Sequence, residues 1–446
     1  MQLVCDLQIH SKYARAVSQE MVLPKIWEWA KRKGIDLVAT GDWTHPLWMR
    51  EIKANLIEDG SGLLKLKTQN SNIKSDKEPL FLLATEVSSI YSQGGKVRRI
   101  HTLIWVSSIE TAEKINKELT RRGANLMSDG RPIIGLSSIQ VAELVLTIDA
   151  KALIIPAHCW TPWYSLYGSE SGFDSIDECF GSYAKYIYAI ETGLSSDPLM
   201  NWRIKELDRR SIVSFSDAHS GPKLMREATV FEMEKASFQG IREAIVGKSD
   251  TSRIVYTIEF YPEEGKYHYT GHRNCGVKQT PSETREKGTM CPVCGRKLTV
   301  GVMHRVDQLA GRTEEELRIK KRELSGLKIN GISSEAFPER PAYVMMVPLT
   351  EIIAESMNTV VTSVSVRNEY FKLTDHLGGE FFILFSKPLD EISRVSGTKI
   401  AEAVGKVREG SITVDPGYDG VFGVVKIWRD EQEVARKDQK KQLSLF

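Results

Sequence analysis

The chain has 446 residues, of which 41% are hydrophobic and 26% charged, a composition that excludes wholesale disorder and a membrane-embedded body. Lys and Arg number 60 against 58 Asp and Glu, a formal net charge of +2, so overall charge gives no argument for a nucleic-acid partner. Six cysteines in so long a chain exclude a disulfide framework, and the length implies two or three domains.

Taken in order, the first part of the chain alternates short aliphatic runs with helix-like segments. The runs are residues 2–9, 36–40, 80–84, 100–106, 152–155, 186–190 and 212–215. Seven such runs predict an α/β unit with a closed, barrel-like arrangement over residues 1–260. Residues 58–79, rich in Gly, Ser, Asn and Lys, read as a mobile surface insertion in it. A small module at 261–305 and a mixed α/β, largely helical C-terminal region at 306–428 follow. Arg318, Lys320, Lys321 and Arg322 are expected on the solvated face of a helix. Residues 429–446 are nearly all polar until the last few and read as a flexible tail. The N-terminal stretch has no basic leader, and no apolar run approaches membrane-spanning length, so a cytoplasmic, nucleoid-associated monomer is expected.

Ionisable residues, with one glutamine among them, fall at or near the ends of these runs: Asp6, Gln8 and His10, then Asp42 and His45, Glu86, His158, Glu191, and Asp217 with His219. In a barrel of parallel strands such ends converge on one face. Clustered carboxylates repel one another unless cations lie between them, and imidazole plus carboxylate ligation suits Zn, Mn or Mg ions in a two- or three-metal site. A lone histidine is more often structural than a ligand. Placement at successive run ends favours the ligand reading.

The ordered motifs Asp6-Leu7-Gln8-Ile9-His10, Gly41-Asp42-Trp43-Thr44-His45, Thr85-Glu86, Ile100-His101, Pro156-Ala157-His158 and Ser216-Asp217-Ala218-His219 resemble those of the polymerase-and-histidinol-phosphatase (PHP) superfamily. That resemblance implies a distorted seven-stranded barrel holding up to three metal ions. It is also what adds His101, which opens its run rather than ending it. Gln8 stands where the superfamily has a histidine, and Asp42 and His45 are separated where an Asp-His pair is common. Asp217, His219, Glu86 and His158 are the expected catalytic residues.

His272-x-x-Cys275-Gly276 and Cys291-Pro292-Val293-Cys294-Gly295 form two knuckles whose four ligands suit a closed, structural zinc in a ribbon-like module, with His272 favoured over His268. The terminal Gln442, Leu443, Ser444, Leu445 and Phe446 resemble the peptide by which bacterial proteins dock on the replication sliding clamp. The fit to the archaeal and eukaryotic clamp peptide is poorer.

The combination resembles the endonuclease Q family over essentially the whole chain. The resemblance implies incision of DNA on the 5′ side of a deaminated base (hypoxanthine, uracil or xanthine) or an abasic site, in double- or single-stranded DNA. Two other readings compete: a phosphatase for a small monoester, which leaves the zinc module and clamp peptide without a task, and a degenerate DNA-bound scaffold. Damaged-base chemistry requires extruding the nucleotide, and Trp160 and Trp163 near the supposed mouth, with Gly193, Leu194, Ser195 and Ser196 beside Glu191, are candidate base readers.

Overall fold

The computed structural model describes residues 1–68, 73, 78–247 and 249–428. The clamp-like peptide at 442–446 lies outside the described residues.

Strand Gln2–Asp6 is apolar and almost wholly buried, as a strand covered on both faces must be. It runs parallel to Leu37–Ala39, which runs parallel to Leu80–Gln93. Helix Leu23–Lys33 links the first two, with Pro24 in its first turn and an end where Gly34 takes a left-handed φ of 87°, the usual helix exit.

From there the all-parallel expectation fails. Leu80–Gln93 is a 14-residue strand that turns through Gly94 and Gly95, both at positive φ, and pairs antiparallel with Lys96–Val106. Lys96–Val106 in turn pairs antiparallel with Leu153–Pro156. Ala189–Glu191 and Ser211–Val213 form their own parallel pair. On the other side, Ala228–Glu232 runs antiparallel to Gln2–Asp6.

The sheet does not stop at residue 260. Arg253–Phe260 pairs antiparallel with Ala228–Glu232 and parallel with Ala342–Met346, so the C-terminal region extends the ladder that the N-terminal unit begins. Beyond it lie Asn330–Ser334 and, at the edge, Ile319–Glu323, exposed along its whole length. The cluster at Arg318, Lys320, Lys321 and Arg322 therefore sits on and beside an edge strand rather than a helix. Charged side chains on such a strand discourage unwanted pairing.

The supposed insertion also begins as part of the sheet. Leu56–Glu58 and Leu64–Leu66 form a hairpin, Leu64 pairs with Phe81, and Leu63, Leu64 and Leu66 are buried. Leu64 and Leu66, two positions apart, turn the same buried face inward while Lys65 stays exposed. Residues 69–72 and 74–77 lie outside the described residues.

Residues 349–409 form five helices, Leu349–Ser356, Val364–Leu377, Glu380–Phe385, Leu389–Ser396 and Thr398–Glu409. They dock on helix Leu23–Lys33. Lys33 Nζ lies 2.5 Å from Glu380 Oε2, with both side chains 1% exposed, and the Tyr370 hydroxyl donates to the same oxygen. A buried charge pair tolerates desolvation only with such added hydrogen bonds. Among the described residues no helix is long and apolar enough to cross a membrane.

Candidate metal centre

Glu86 lies mid-strand, buried, with five nitrogens around one carboxylate. Gln8 Nε2 donates to Oε2 at 2.9 Å, and His10 Nε2 is 3.2 Å from that oxygen. His101 Nδ1, His158 Nε2 and Arg131 Nη1 lie 2.5, 3.3 and 3.3 Å from Oε1. The antiparallel register explains His101: Ser88 pairs with His101 and Glu86 with Leu103, so Lys96–Val106 enters the site at the point where its parallel counterpart would leave it.

Two candidate ligand groups result, Glu86 with His101 and His158, and His10 with Asp217 and His219. They are joined through Glu86 and His10, and His10 Nε2 is also 3.2 Å from Asp217 Oδ1. His101 Nδ1 and His158 Nε2 face each other at 3.1 Å. Burial pushes the His101 ring down to about 4, against the raising effect of Glu86. Imidazole nitrogens gathered around one carboxylate, beside buried and unpartnered Gln8 Oε1 and Glu191 Oε1, suit divalent cations.

The remaining N-terminal candidates are placed differently. Asp6 is fully buried and accepts from Ser216 N, Ser216 Oγ and Met225 N at 3.0, 2.6 and 2.9 Å. Its carboxyl, pushed up to about 6 by burial, anchors the loop that carries Asp217, and it lies outside the two groups above. Asp42 Oδ1 lies 2.9 Å from His10 Nδ1, while Oδ2 accepts from Ser11 N and Oγ. It therefore orients the ring whose other nitrogen faces the cluster, as carboxylates behind ligand imidazoles do. His45 stacks on Tyr13 at 4.4 Å and belongs to neither group. Glu191 Oε2 accepts from His158 N at 2.6 Å, and burial, reinforced by Asp217 and Glu86, pushes its carboxyl well above the usual range.

Asp42, His158 and Asp217 have φ of 42°, 31° and 47°. Left-handed backbone at three non-glycine residues is concentrated strain of the kind found at functional sites. Gly193, itself at φ 59°, lets His158 approach: a Cβ there would meet the His158 Cβ at 2.4 Å.

Of the suggested base readers, Trp160 is 1% exposed, stacked on Tyr167 and bonded to Asn201, a core residue with no face to offer a base. Trp163 is half-buried, edge-on to Tyr267 at 5.5 Å. Leu194 is half-buried, Ser196 donates to Thr192 O, and the buried Ser195 Oγ has no partner. Sequence reasoning missed Arg131, Ser11 and Ser216. Only the Asp129-Gly130-Arg131-Pro132 turn hints at the first.

His272, Cys275, Cys291 and Cys294 come together as a third group whose ligand atoms all lie within 4.8 Å of one another. Thr270–His272 pairs with Val277–Gln279, and each knuckle turns on a left-handed glycine, Gly276 at 63° and Gly295 at 70°. His268 is buried elsewhere, with burial lowering its ring to about 4. Three thiols and an imidazole in tetrahedral reach fit zinc.

The model of the MJ0043 C-terminal domain family matches residues 348–411, the helical unit. The "Uncharacterized protein MJ0043" of Methanocaldococcus jannaschii is 28% identical over 288 residues, 63% of this chain and 33% of that protein, so the chain spans about a third of this relative's length. The "Uncharacterized protein YqxK" of Bacillus subtilis is 26% identical over 438 residues, 95% of this chain and 99% of YqxK. Among solved structures, the lesion-specific endonuclease PfuEndoQ of Pyrococcus furiosus matches at TM-score 0.79 and 30% identity, over 96% of this chain and 95% of that one. Endonuclease Q in complex with a 27-mer duplex substrate bearing an abasic lesion at the active site matches at the same TM-score and identity, over 96% and 97%.

Proposed function

Because this chain belongs to the endonuclease Q family, we propose that it is a DNA repair enzyme that hydrolyses the phosphodiester 5′ of a deaminated base or an abasic site. The observation that carries this reading is full-length likeness to an endonuclease that holds an abasic duplex, combined with two ligand groups that meet where Glu86 faces His10.

Glu86, His101 and His158 would hold one divalent ion, and His10, Asp217 and His219 another. Such ions, Zn, Mn or Mg, supply Lewis acidity and a readily deprotonated water. The chain's own residues do the rest. Asp42 and Asp6 fix His10 and the Asp217 loop, so the site needs little reorganisation on binding substrate. Attack of water on phosphorus breaks the bond to the 3′ oxygen, leaving a 3′-hydroxyl and a 5′-phosphate. We read the strands around this site as a distorted seven-stranded barrel, and the group at His272, Cys275, Cys291 and Cys294 as a structural zinc site.

Gly193, Leu194, Ser195, Ser196 and Trp163 remain the proposed readers of the extruded nucleotide, with the Ser195 hydroxyl free to donate. Residues 306–428 would grip the flanking DNA and Gln442 to Phe446 would dock on a sliding clamp, the enzyme acting as a monomer. The test is incision of duplexes containing hypoxanthine, uracil, xanthine or an abasic site beside an undamaged control and a small phosphate monoester. Cutting confined to the 5′ side of the lesions supports the reading. Phosphate release from the monoester with every duplex intact replaces it with a phosphatase.

A further inference from the structure

Arg131 is held at the centre of the site by its backbone. Arg131 N donates to Asp129 Oδ1 at 3.0 Å, Gly130 N to Tyr13 O at 3.0 Å, Thr44 Oγ1 to Gly130 O at 3.2 Å and Ser88 N to Pro132 O at 3.0 Å. The turn is pressed so closely on Asp42 that a Cβ at Gly130 would meet Asp42 Oδ2 at 2.4 Å. From this fixed base the side chain, 27% exposed, sends Nη1 to within 3.3 Å of Glu86 Oε1. Among the described residues that is its one hydrogen-bonding partner, at a carboxylate oxygen already approached by His101 and His158.

A guanidinium keeps its charge and carries five donors in a planar fork. At Glu86 it uses one donor, at a distance long for a charge-assisted bond. The remaining donors, partly open to solvent, need planar, doubly accepting, anionic oxygens, and the non-bridging oxygens of a phosphodiester are such a pair. We propose that Arg131 grips the phosphodiester to be cut and is a catalytic residue of this centre, a step that rests on the phosphodiesterase reading above.

The test uses full-length protein and a fluorescent duplex with one tetrahydrofuran abasic site. The linkage 5′ of that site is either an ordinary phosphodiester or an uncharged methylphosphonate. Binding is read by anisotropy under brief chelation that stops turnover, single-turnover incision is read with metal restored, and metal content and melting temperature are recorded for each protein. Wild type should bind the phosphodiester duplex roughly tenfold or more tightly than the methylphosphonate, the scale of a bond to a charged group. Arg131→Ala should bind both alike and cut about 10²-fold more slowly, with metal content and melting temperature unchanged. Arg131→Lys should recover part of each.

An Arg131→Ala protein that still distinguishes the two linkages as wild type does overturns the proposal. So does one that loses bound metal in step with its rate, because Arg131 would then act by holding Glu86. A wild-type protein that cuts no lesion duplex fails earlier, and removes the phosphodiesterase reading together with this one.

Discussion

The two kinds of ligand cluster in this molecule are built in opposite ways. The knuckle group draws His272, Cys275, Cys291 and Cys294 from a single short stretch, through two local turns on glycine. The Glu86-centred group draws its residues from segments between His10 and His219, through strands of both orientations and three strained backbone positions. The first offers three sulfurs and one nitrogen, a set that would saturate a tetrahedral ion and leave no room for chemistry. The second mixes imidazoles with carboxylates, keeps buried acceptors unpartnered and adds a guanidinium. Local construction makes a site that folds a module. Distributed construction makes one that the whole fold must hold in register.

Breaking the distributed site should have the largest effect. Asp217→Ala removes a carboxylate from the His10 and His219 group, and single-turnover incision of an abasic duplex should fall by roughly 10³-fold while circular dichroism stays as in wild type. Asp42→Ala leaves the ligands in place but frees the His10 ring, so metal affinity should weaken about 10- to 100-fold, measured by titrating activity with manganese, and excess metal should restore the rate. In the local site, Cys291→Ser should release about one equivalent of zinc and lower the melting temperature, with incision reduced by less than about tenfold. Elemental analysis and calorimetry read both. The smallest effect belongs to Gln8→Ala, which deletes one hydrogen bond to Glu86 and should cost about fivefold in rate, on the scale of roughly 1 kcal/mol.

The same contrast sets what the sequence could reveal. The knuckles were legible because their spacing is their geometry. Most of the N-terminal residues that come together, all but His101, stood out because each lies at or after an apolar run, but their division of labour did not. Asp6 and Asp42 share the carboxylate of Asp217, yet their partners are Ser216, Met225, Ser11 and His10, contacts fixed only when distant strands meet. The position of His101 becomes sensible once Lys96–Val106 is seen to be antiparallel, and antiparallel pairing is set by the two-glycine turn at Gly94 and Gly95. The basic run at Arg318 to Arg322 carries no apolar alternation to mark a strand, because an edge strand with both faces exposed has none to show. Lys33 and Glu380, which join helix Leu23–Lys33 to the C-terminal helices, gave no sign of each other across so long a separation.

The most direct measurement is single-turnover incision of an end-labelled abasic duplex by wild type and Asp217→Ala, each before chelation, after it and after restoring manganese. The expected result is a cut immediately 5′ of the lesion by wild type alone, abolished by chelation and restored by metal, with the undamaged duplex intact. Incision that persists in Asp217→Ala, or that falls equally on damaged and undamaged DNA, would contradict the assignment of lesion-directed cleavage to the Glu86-centred site.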